Sequence, residues 1–240
     1  MPFKTLSVLI PAYNERENLP KLLAKVEAVV LPEGITKQIV VVDDGSKDGT
    51  REYVADLPQD RYVSVLMPKN SGKGAAIRAG LEKITGDYVI IQDADLEYDP
   101  EDFVPMVREV LDKNLDVLYG SRRLKMQNQY SHLSFLLGGI ALSLMTNVLY
   151  GQRITDEPTC YKLLKTDLIK SLDLVCDRFE FCPEVTAKVA RKGYKIKEIP
   201  VNYYPRSITE GKKIRWTDGW EAIATLWKWR NWKAGSPVSK

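Results

Sequence analysis

Residues 88–97 read Tyr88-Val89-Ile90-Ile91-Gln92-Asp93-Ala94-Asp95-Leu96-Glu97, a short apolar run followed by three carboxylates. Such a run, bounded by polar residues, is typical of a buried strand. If the chain stays extended, the side chains of Asp93, Asp95 and Glu97 face the same way because they are two residues apart. The stretch therefore predicts a strand that carries a group of carboxylates at its carboxyl end.

Apolar runs of the same kind recur on both sides of this stretch. Four more strands are predicted, at residues 6–11, 38–43, 62–67 and 117–119. Segments with helical spacing or helix-start signals separate them, at 15–30, 48–57, 74–84 and from Pro100 onward. Strands that alternate with helices in this way predict an α/β fold, with a Rossmann-like, mostly parallel sheet flanked by helices.

The composition narrows the class of protein. Of the 240 residues, 44% are apolar and 28% are charged, which is ordinary for a folded domain. The net charge of +3 is too small to indicate nucleic acid as a partner. Three cysteines without a CxxC pair argue against a disulfide framework or a zinc site and favour a reducing cytoplasm. The single histidine, His132, gives little basis for a Ser-His-Asp triad, and the N-terminus shows no signal-peptide pattern.

Polar clusters also follow the other predicted strands. The first strand ends in Pro11–Glu15, the second in Asp43–Ser46, and the third leads into Asn70–Gly74. Because ligands of open α/β sheets bind beyond the carboxyl ends of the strands, these clusters predict one shared site. Carboxylates gathered at one edge repel one another, and a hard dication relieves that repulsion while attracting phosphate oxygens. Each motif alone is an ordinary turn, and only their combination indicates this site.

The phosphate-binding motifs of other families do not fit. Gly72-Lys73-Gly74 is not a P-loop, because Met67 stands where the first glycine belongs and Gly74 replaces the Ser or Thr after the lysine. No Gly-x-Gly-x-x-Gly follows the first strand, which argues against an ordinary dinucleotide site. Lys73 either reaches a nucleotide phosphate or is a surface lysine.

Taken together, these motifs resemble those of the family 2 glycosyltransferases, specifically the polyprenyl-phosphate (dolichol-phosphate) mannose or glucose synthases. The resemblance runs from about residue 5 to residue 230. The matching segments are residues 11–15, 43–50, 70–74, 93–96, 120–122, 155–162, 204–206 and 210–214.

The resemblance implies a GT-A fold, inversion at the anomeric carbon, and a nucleotide-sugar donor held with Mg²⁺ or Mn²⁺. The residues that would contact the donor are Pro11, Ala12, Tyr13, Glu15, Asp43, Asp44, Lys73, Asp93 and Ala94. Asp95 would bind the metal directly, and Asp93 and Glu97 complete the predicted metal ligands.

The same resemblance places Asp156 near the acceptor and assigns Arg122 and Arg206 to the acceptor phosphate. With Asp95, these three residues form the predicted catalytic set. Two departures from the family pattern affect this side. Glu97 stands where the synthases often have Gln, and residues 156–162 read DEPTCYK in place of an Asp-x-x-Ser-Gly-Phe-Arg-like segment.

Inverting transfer is an in-line displacement in which the acceptor oxygen attacks as the nucleoside diphosphate leaves. The metal at Asp95, together with Lys73, would stabilise the charge on the leaving group. A hydroxyl acceptor needs a base, for which Asp156 is the candidate. A lipid phosphate, whose second pKa is about 6, instead needs positioning by the basic residues Arg122, Arg206, Lys212 and Lys213. The basic cluster at 212–215 favours the lipid phosphate, unless it is only a solvated basic face.

Two later segments are predicted to meet a membrane surface. Residues 133–151 carry no formal charge, yet a single crossing would separate Asp156 from Asp95, and the two must share one site. We therefore expect an interfacial helix within 131–151, or alternatively a buried core helix. All five tryptophans lie in residues 216–232, interleaved with Lys and Arg as suits a headgroup layer, or else packed on the domain.

The predicted organisation is one GT-A catalytic domain over residues 1–233, which includes both helical segments, and a flexible tail at 234–240. The favoured hypothesis is transfer of mannose or glucose from a GDP- or UDP-sugar to a polyprenyl phosphate, by an enzyme bound peripherally at the cytoplasmic face of a membrane. One alternative is transfer to a saccharide or another hydroxyl acceptor in cell-envelope glycan synthesis. A second alternative is a nucleotide-sugar-binding protein without turnover.

Overall fold

The computed structural model describes residues 3–128, 133–206 and 216–235, and within them one mixed sheet of seven strands. The strands are β1 (Thr5–Ala12), β2 (Thr36–Asp43), β3 (Tyr62–Leu66), β4 (Tyr88–Ile91), β5 (Val117–Ser121), β6 (Lys162–Lys165) and β7 (Lys197–Pro200). Their spatial order is β3-β2-β1-β4-β6-β5-β7. All of the pairings are parallel except the two that β6 makes, with β4 and β5.

Helices connect the strands and cover the sheet. They are α1 (Leu19–Ala28), α2 (Thr50–Ala55), α3 (Lys73–Leu81), α4 (Phe103–Lys113), α5 (Leu133–Tyr150), α6 (Thr166–Lys170), α7 (Phe181–Arg191) and α8 (Trp216–Lys228). Short 3-10 turns lie at Pro32–Gly34, Pro100–Asp102 and Trp229–Asn231. The five predicted strands are present, each within two residues of its expected ends, and the helices between them follow the predicted order.

The apolar runs that predicted the strands are buried on both faces of the sheet. Leu9 and Ile10 of β1, neighbours whose side chains point to opposite faces, are both fully buried, and so are Val40 and Val41 of β2. Two-sided burial is what a parallel sheet covered by helices requires. The predicted α/β fold with a mostly parallel sheet is confirmed.

Strand β6 runs against its neighbours and was not predicted. Its reversal brings the residues before it, 156–161, to the edge where the parallel strands end. The four-residue strand has a lysine at each end, which hides its apolar pattern. Lys162 is nevertheless buried: its ammonium donates to the Glu157 carbonyl at 2.6 Å and lies 4.0 Å from the centre of the Tyr119 ring.

Helices α5 and α8 pack against each other and leave apolar surface uncovered. Leu142 of α5 and Ala222 and Leu226 of α8 form the buried contact between them. On the other side of α5, Leu144 and Val148 are exposed. The predicted helix is therefore present, but a core helix buried on all sides does not fit. Over the part of the chain that the structure describes, no helix is both long enough and apolar enough to span a bilayer.

Four of the five tryptophans of the C-terminal segment have described side chains, and these divide into two groups. Trp220 and Trp227 are exposed, whereas Trp229 and Trp232 are buried beside Ala187 of α7. The expectation of a headgroup contact is therefore wrong for Trp229 and Trp232, because the rest of the protein already covers them. Lys212, Lys213 and residues 236–240 lie outside the described residues. The extent of the domain, residues 1–233, stays a prediction.

Candidate active site

The loops after β1 and β2 are joined into one wall by short hydrogen bonds. The amide of Asn14 donates to Ser46 Oγ at 2.9 Å, and Asn14 Oδ1 accepts from the amide of Lys47 at 2.9 Å. The amide of Glu15 donates to Thr50 Oγ1 at 2.9 Å. These hydrogen bonds fix the first loop, whose residues were predicted to contact the nucleotide sugar. Pro11 and Tyr13 are partly exposed along this wall, and Ala12 and Glu15 are buried.

The two aspartates that end β2 serve different parts of this wall. The Asp43 carboxylate is fully buried and accepts from the amides of Gly45 and Ser46 and from Arg51, the last at 2.9 Å. Asp43 therefore holds its own turn and Arg51 in place, and its contact with the nucleotide sugar stays a prediction.

Asp44 joins the wall to the loop before α3. Its carboxylate accepts from the amides of Ser71 and Gly72 at 2.7 and 2.8 Å, and from the Asn70 side chain at 3.1 Å. Burial raises the pKa of Asp44, and the two amide hydrogen bonds oppose that rise. The three loops that follow β1, β2 and β3 thus form one connected edge, as the sequence predicts.

Lys73 is the first residue of α3 and points to the end of β4. Its ammonium lies 2.5 Å from Asp93 Oδ1 and 3.8 Å from the sulfur of Cys160. Only 16% of the Lys73 side chain is exposed, so the alternative of a surface lysine is wrong. Ala94, the residue after Asp93, is buried.

The segment with the three carboxylates is a turn and not an extended strand. Leu96 has φ 63°, a left-handed conformation that breaks the expected alternation. The amide of Glu97 therefore donates back to Asp95 Oδ1 at 3.1 Å. Burial and the neighbouring charges of Asp93 and Glu97 raise the pKa of Asp95 to about 7. The prediction that all three side chains face one way is wrong.

Arg206 lies among the carboxylates of this edge. Its guanidinium is 3.1 Å from Asp95 Oδ2 and 3.5 Å from Glu15 Oε2, and its amide donates to Glu97 Oε1 at 2.9 Å. The other oxygen of Glu97 accepts from the Tyr203 hydroxyl at 2.8 Å. Arg206 was predicted to hold the acceptor phosphate, and this role stays a prediction; in the structure its guanidinium lies beside the predicted metal ligand Asp95.

The residues present suit a hard dication only in part. Carboxylate oxygens are the ligands that Mg²⁺ and Mn²⁺ prefer, and Asp93 and Asp95 supply such oxygens at this edge. Glu97, however, is turned toward Tyr203 and Arg206. Within the described residues, no three Asp, Glu, His or Cys side chains are grouped closely enough to hold a metal ion by themselves. The metal ligands Asp93, Asp95 and Glu97 therefore stay a prediction, with Glu97 already engaged by other partners.

Arg122 and Asp156 form a two-pronged ion pair at the same edge. Arg122 Nε and Nη2 each donate to one oxygen of Asp156 at 2.7 Å, and the Arg122 amide donates at 2.9 Å. Burial tends to raise the pKa of Asp156, but the charge and hydrogen bonds of Arg122 hold it below its usual value. A general base needs an accessible oxygen and a pKa nearer neutrality. The fully buried Asp156 carboxylate meets neither need, so its geometry suits holding Arg122.

Two tyrosines that the sequence did not single out connect the arginines. The Arg122 guanidinium lies 5.0 Å from the ring centre of Tyr203 and 5.9 Å from that of Tyr98. Since the Tyr203 hydroxyl bonds Glu97, the ring lies between the Arg122 pair and the Arg206 cluster. Only their places in the sequence could have pointed to these tyrosines. Tyr98 directly follows the carboxylate motif, and Tyr203 precedes Arg206 by three residues.

The sequence that forms these loops matches a known protein family. The model of "Glycosyl transferase family 2" matches residues 7–172 of the chain. The chain belongs to glycosyl transferase family 2. The resemblance drawn from the motifs is thereby confirmed.

Two curated proteins are similar to this chain over most of its length. The undecaprenyl-phosphate 4-deoxy-4-formamido-L-arabinose transferases of Salmonella paratyphi A and Salmonella dublin are each 30% identical to it over 214 residues. These matches cover 88% of this chain and 63% of each relative. The chain therefore spans less than two thirds of the length of these relatives.

Solved structures of glycosyltransferases share its fold. Glucosyl-3-phosphoglycerate synthase from Mycobacterium tuberculosis, in complex with Mn²⁺, UDP and phosphoglyceric acid, aligns with a TM-score of 0.68 at 19% identity, over 97% of this chain and 80% of that one. S. aureus TarS 1–349 in complex with UDP-GlcNAc aligns with a TM-score of 0.64 at 17% identity, over 94% and 66%. The predicted GT-A fold is confirmed.

Proposed function

We propose that the chain transfers a hexose from a GDP- or UDP-sugar to a polyprenyl phosphate at the cytoplasmic face of a membrane, with inversion. The observation that carries this proposal is the pairing of charges at the sheet edge. Asp93 is paired with Lys73, and Asp95 with Arg206. A nucleoside diphosphate with its dication complements these charges, since its phosphates suit Lys73 and its metal suits the two carboxylates, which leaves Arg206 for the acceptor phosphate.

The donor binds along the wall built by the first three loops. The base and ribose are bordered by Pro11, Ala12, Tyr13 and Glu15. Asp44 holds the loop before α3 against this wall. Lys73 moves from Asp93 to the diphosphate and holds the charge that develops on it. Asp95, with Asp93, would hold Mg²⁺ or Mn²⁺, and the metal would supply positive charge to offset that of the leaving diphosphate. The solved relatives with UDP and either Mn²⁺ or Mg²⁺ support this assignment.

The acceptor is a lipid phosphate because the site offers two arginines, and Asp156, the predicted base, is buried and held by Arg122. A phosphate monoester with a second pKa of about 6 is already ionised at neutral pH. Arg122, fixed by Asp156, and Arg206 position it, and Lys212 and Lys213 contribute charge. The names of the curated relatives, transferases that act on undecaprenyl phosphate, support the acceptor class. A hydroxyl acceptor is disfavoured because the buried Asp156 carboxylate is held by Arg122.

The chain meets the membrane through the uncovered sides of α5 and α8. Leu137, Leu144 and Val148 lie along one side of α5 and are exposed, while Trp220 and Trp227 are exposed on α8. Helix α5 carries no charged residue. Arg123 donates to the Leu136 carbonyl of α5 at 3.3 Å and follows Arg122 in the chain, so this surface adjoins the acceptor side of the site. A lipid acceptor therefore reaches Arg122 without leaving the surface that carries it.

Product analysis tests the proposal. The purified chain is incubated with UDP- and GDP-hexoses, Mg²⁺ or Mn²⁺, and vesicles that contain undecaprenyl or dolichyl phosphate, and the organic extract is analysed by mass. We expect one hexose attached to the lipid phosphate, formed about 10³-fold more slowly by Asp95→Asn. A water-soluble glycoside would instead establish the hydroxyl acceptor. Tight nucleotide-sugar binding with no product under any condition would establish a binding protein.

A further inference from the structure

A buried ion pair lies between the C-terminal segment and the turn that begins α3. Glu184 and Lys188 are four residues apart on α7, and both are 0% exposed. Lys188 Nζ lies 2.7 Å from Glu184 Oε1 and donates to the Asp173 carbonyl at 2.7 Å. Replacing a buried pair of this kind with apolar residues of equal volume is often neutral or stabilising. Packing alone therefore does not account for it, and its contacts on either side point to another role.

On the outer side, the pair holds the C-terminal segment. The Lys188 ammonium is 4.0 Å from the ring centre of Trp229 and 5.3 Å from that of Trp232, and both rings are buried. Arg191, on the next turn of α7, donates to the Trp232 carbonyl at 3.1 Å. Desolvated ammonium–ring contacts of this geometry are attractive. The end of α8 and the turn after it are thus fixed to α7.

On the inner side, the pair holds a loop. The Glu184 carboxylate accepts from the amide of Val175 at 3.0 Å and from the amide of Cys176 at 2.9 Å. These are charge-assisted bonds in a site closed to water, so they define the path of the backbone closely. Asp177 follows directly in the chain, so these two hydrogen bonds also determine its position.

This loop supports the turn that carries Lys73. The Asp177 carbonyl accepts from the amide of Ala75 at 3.0 Å. Gly72 and Gly74 lie so close to the loop that a Cβ atom on either would collide with the carbonyl oxygen of Asp177 or Cys176. Because Lys73 lies between these two glycines, the position of the loop determines where its ammonium points.

We infer that Glu184 and Lys188 are positioning residues for Lys73, and that Trp229 and Trp232 help to hold Lys188 in place. The inference rests on the proposed function, in which Lys73 holds the donor diphosphate. An unbroken series of contacts connects the end of α8 to the donor site, through the ion pair and the 175–177 loop. Weakening any part of it displaces the Lys73 ammonium and lowers the affinity for a nucleoside diphosphate.

Titration calorimetry with UDP and with GDP, each with Mg²⁺, tests the inference. For the nucleotide that the unchanged protein binds, we expect Glu184→Gln, Lys188→Met and Trp229→Leu each to raise the Kd on the order of ten-fold. Trp229→Phe keeps an aromatic face and should bind nearly as well as the unchanged protein. The matched controls are Glu109→Gln and Lys113→Met, an ion pair with the same spacing on α4 that is partly exposed to solvent. These controls should leave the Kd unchanged.

A double-mutant cycle separates positioning from a general loss of structure. Lys73→Met alone should weaken binding, and adding Glu184→Gln to it should change nothing further, because the group being positioned is gone. An equal loss from Glu184→Gln in both backgrounds would overturn the inference, as would unchanged affinity in both Glu184→Gln and Trp229→Leu. Either result leaves the proposed function standing. If the unchanged protein binds neither nucleotide, the proposed function and the inference fail together. Should Lys188→Met not fold, the Trp229→Leu and Trp229→Phe comparison decides.

Discussion

The donor and acceptor sides of the candidate site are built from different kinds of contact. On the donor side, neighbouring loops hold one another through backbone amides and short side chains, as Asp44 does with residues 70–72. On the acceptor side, ion pairs join residues distant in sequence, such as Arg122 with Asp156 and Arg206 with Glu15, the latter 191 positions apart. Apart from the Lys73–Asp93 pair, the donor side is therefore held by contacts that a charged ligand leaves in place, whereas such a ligand competes directly with the ion pairs of the acceptor side.

Removing the charge of Asp95, which lies where the two sides meet, should have the largest effect on turnover. Asp95→Asn keeps the size of the side chain but removes the charge that a dication and Arg206 share. We expect turnover to fall about 10³-fold, the upper range for losing one stabilising group in a site of this kind. Lipid-product formation measures the loss, and EDTA should abolish the activity of the unchanged protein until Mg²⁺ or Mn²⁺ is restored.

The control for this change is Asp112→Asn, which makes the same replacement on the exposed side of α4. It should keep full turnover. Full activity in Asp95→Asn would show that the carboxylates at the sheet edge do not hold the metal.

Arg122→Lys should affect the acceptor side selectively. Lysine keeps the positive charge but cannot form the two-pronged pair with Asp156, so its ammonium is not held in place. We expect kcat/KM for the lipid phosphate to fall about 10²-fold, as misplacement of a positioning group does. The Kd for nucleoside diphosphate should stay unchanged, because the donor wall does not include Arg122. An equal loss of nucleotide affinity would show that the two sides are not separate.

The difference between the two sides also explains what could be predicted from sequence. Strands β1, β2 and β4 and the motifs after them were found because each motif directly follows its apolar run. Strand β6 has only four residues, with lysines at both ends, so its apolar pattern could not be recognised. Because the reversal of β6 was missed, the contact between Asp156 and Arg122 could not be predicted either. The placement of Arg206 among Glu15, Asp95 and Glu97 depends on how the chain after β7 returns to the edge, which no local pattern encodes.

A pair of glycines tests the rigidity of the donor side. Gly74→Ala places a Cβ against the Cys176 carbonyl, whereas Gly138 on α5 has no neighbouring atom within 4 Å of such a Cβ. Alanine favours a helix over glycine by about 1 kcal/mol, so Gly138→Ala should raise the free energy of unfolding slightly. In Gly74→Ala, overpacking of about 1–3 kcal/mol opposes that gain and should lower the free energy of unfolding. Denaturant titration measures the free energy of unfolding of both variants. A stabilised Gly74→Ala would mean that the loop at 175–177 moves aside at little energetic cost.

The smallest effect is expected at the membrane surface, where two valines give a matched comparison. Val148 on α5 and Val30 after α1 are each 83% exposed, but only Val148 belongs to the surface proposed to meet lipid. Burying a valine side chain in an apolar layer contributes about 1.5 kcal/mol. Val148→Ser should therefore weaken partitioning to anionic phospholipid vesicles about ten-fold in a sedimentation assay. Val30→Ser should bind as the unchanged protein does, because this residue lies away from α5 and α8. Equal partitioning of both variants would place the lipid contact elsewhere, and Arg122 would then have to draw its acceptor from a different surface.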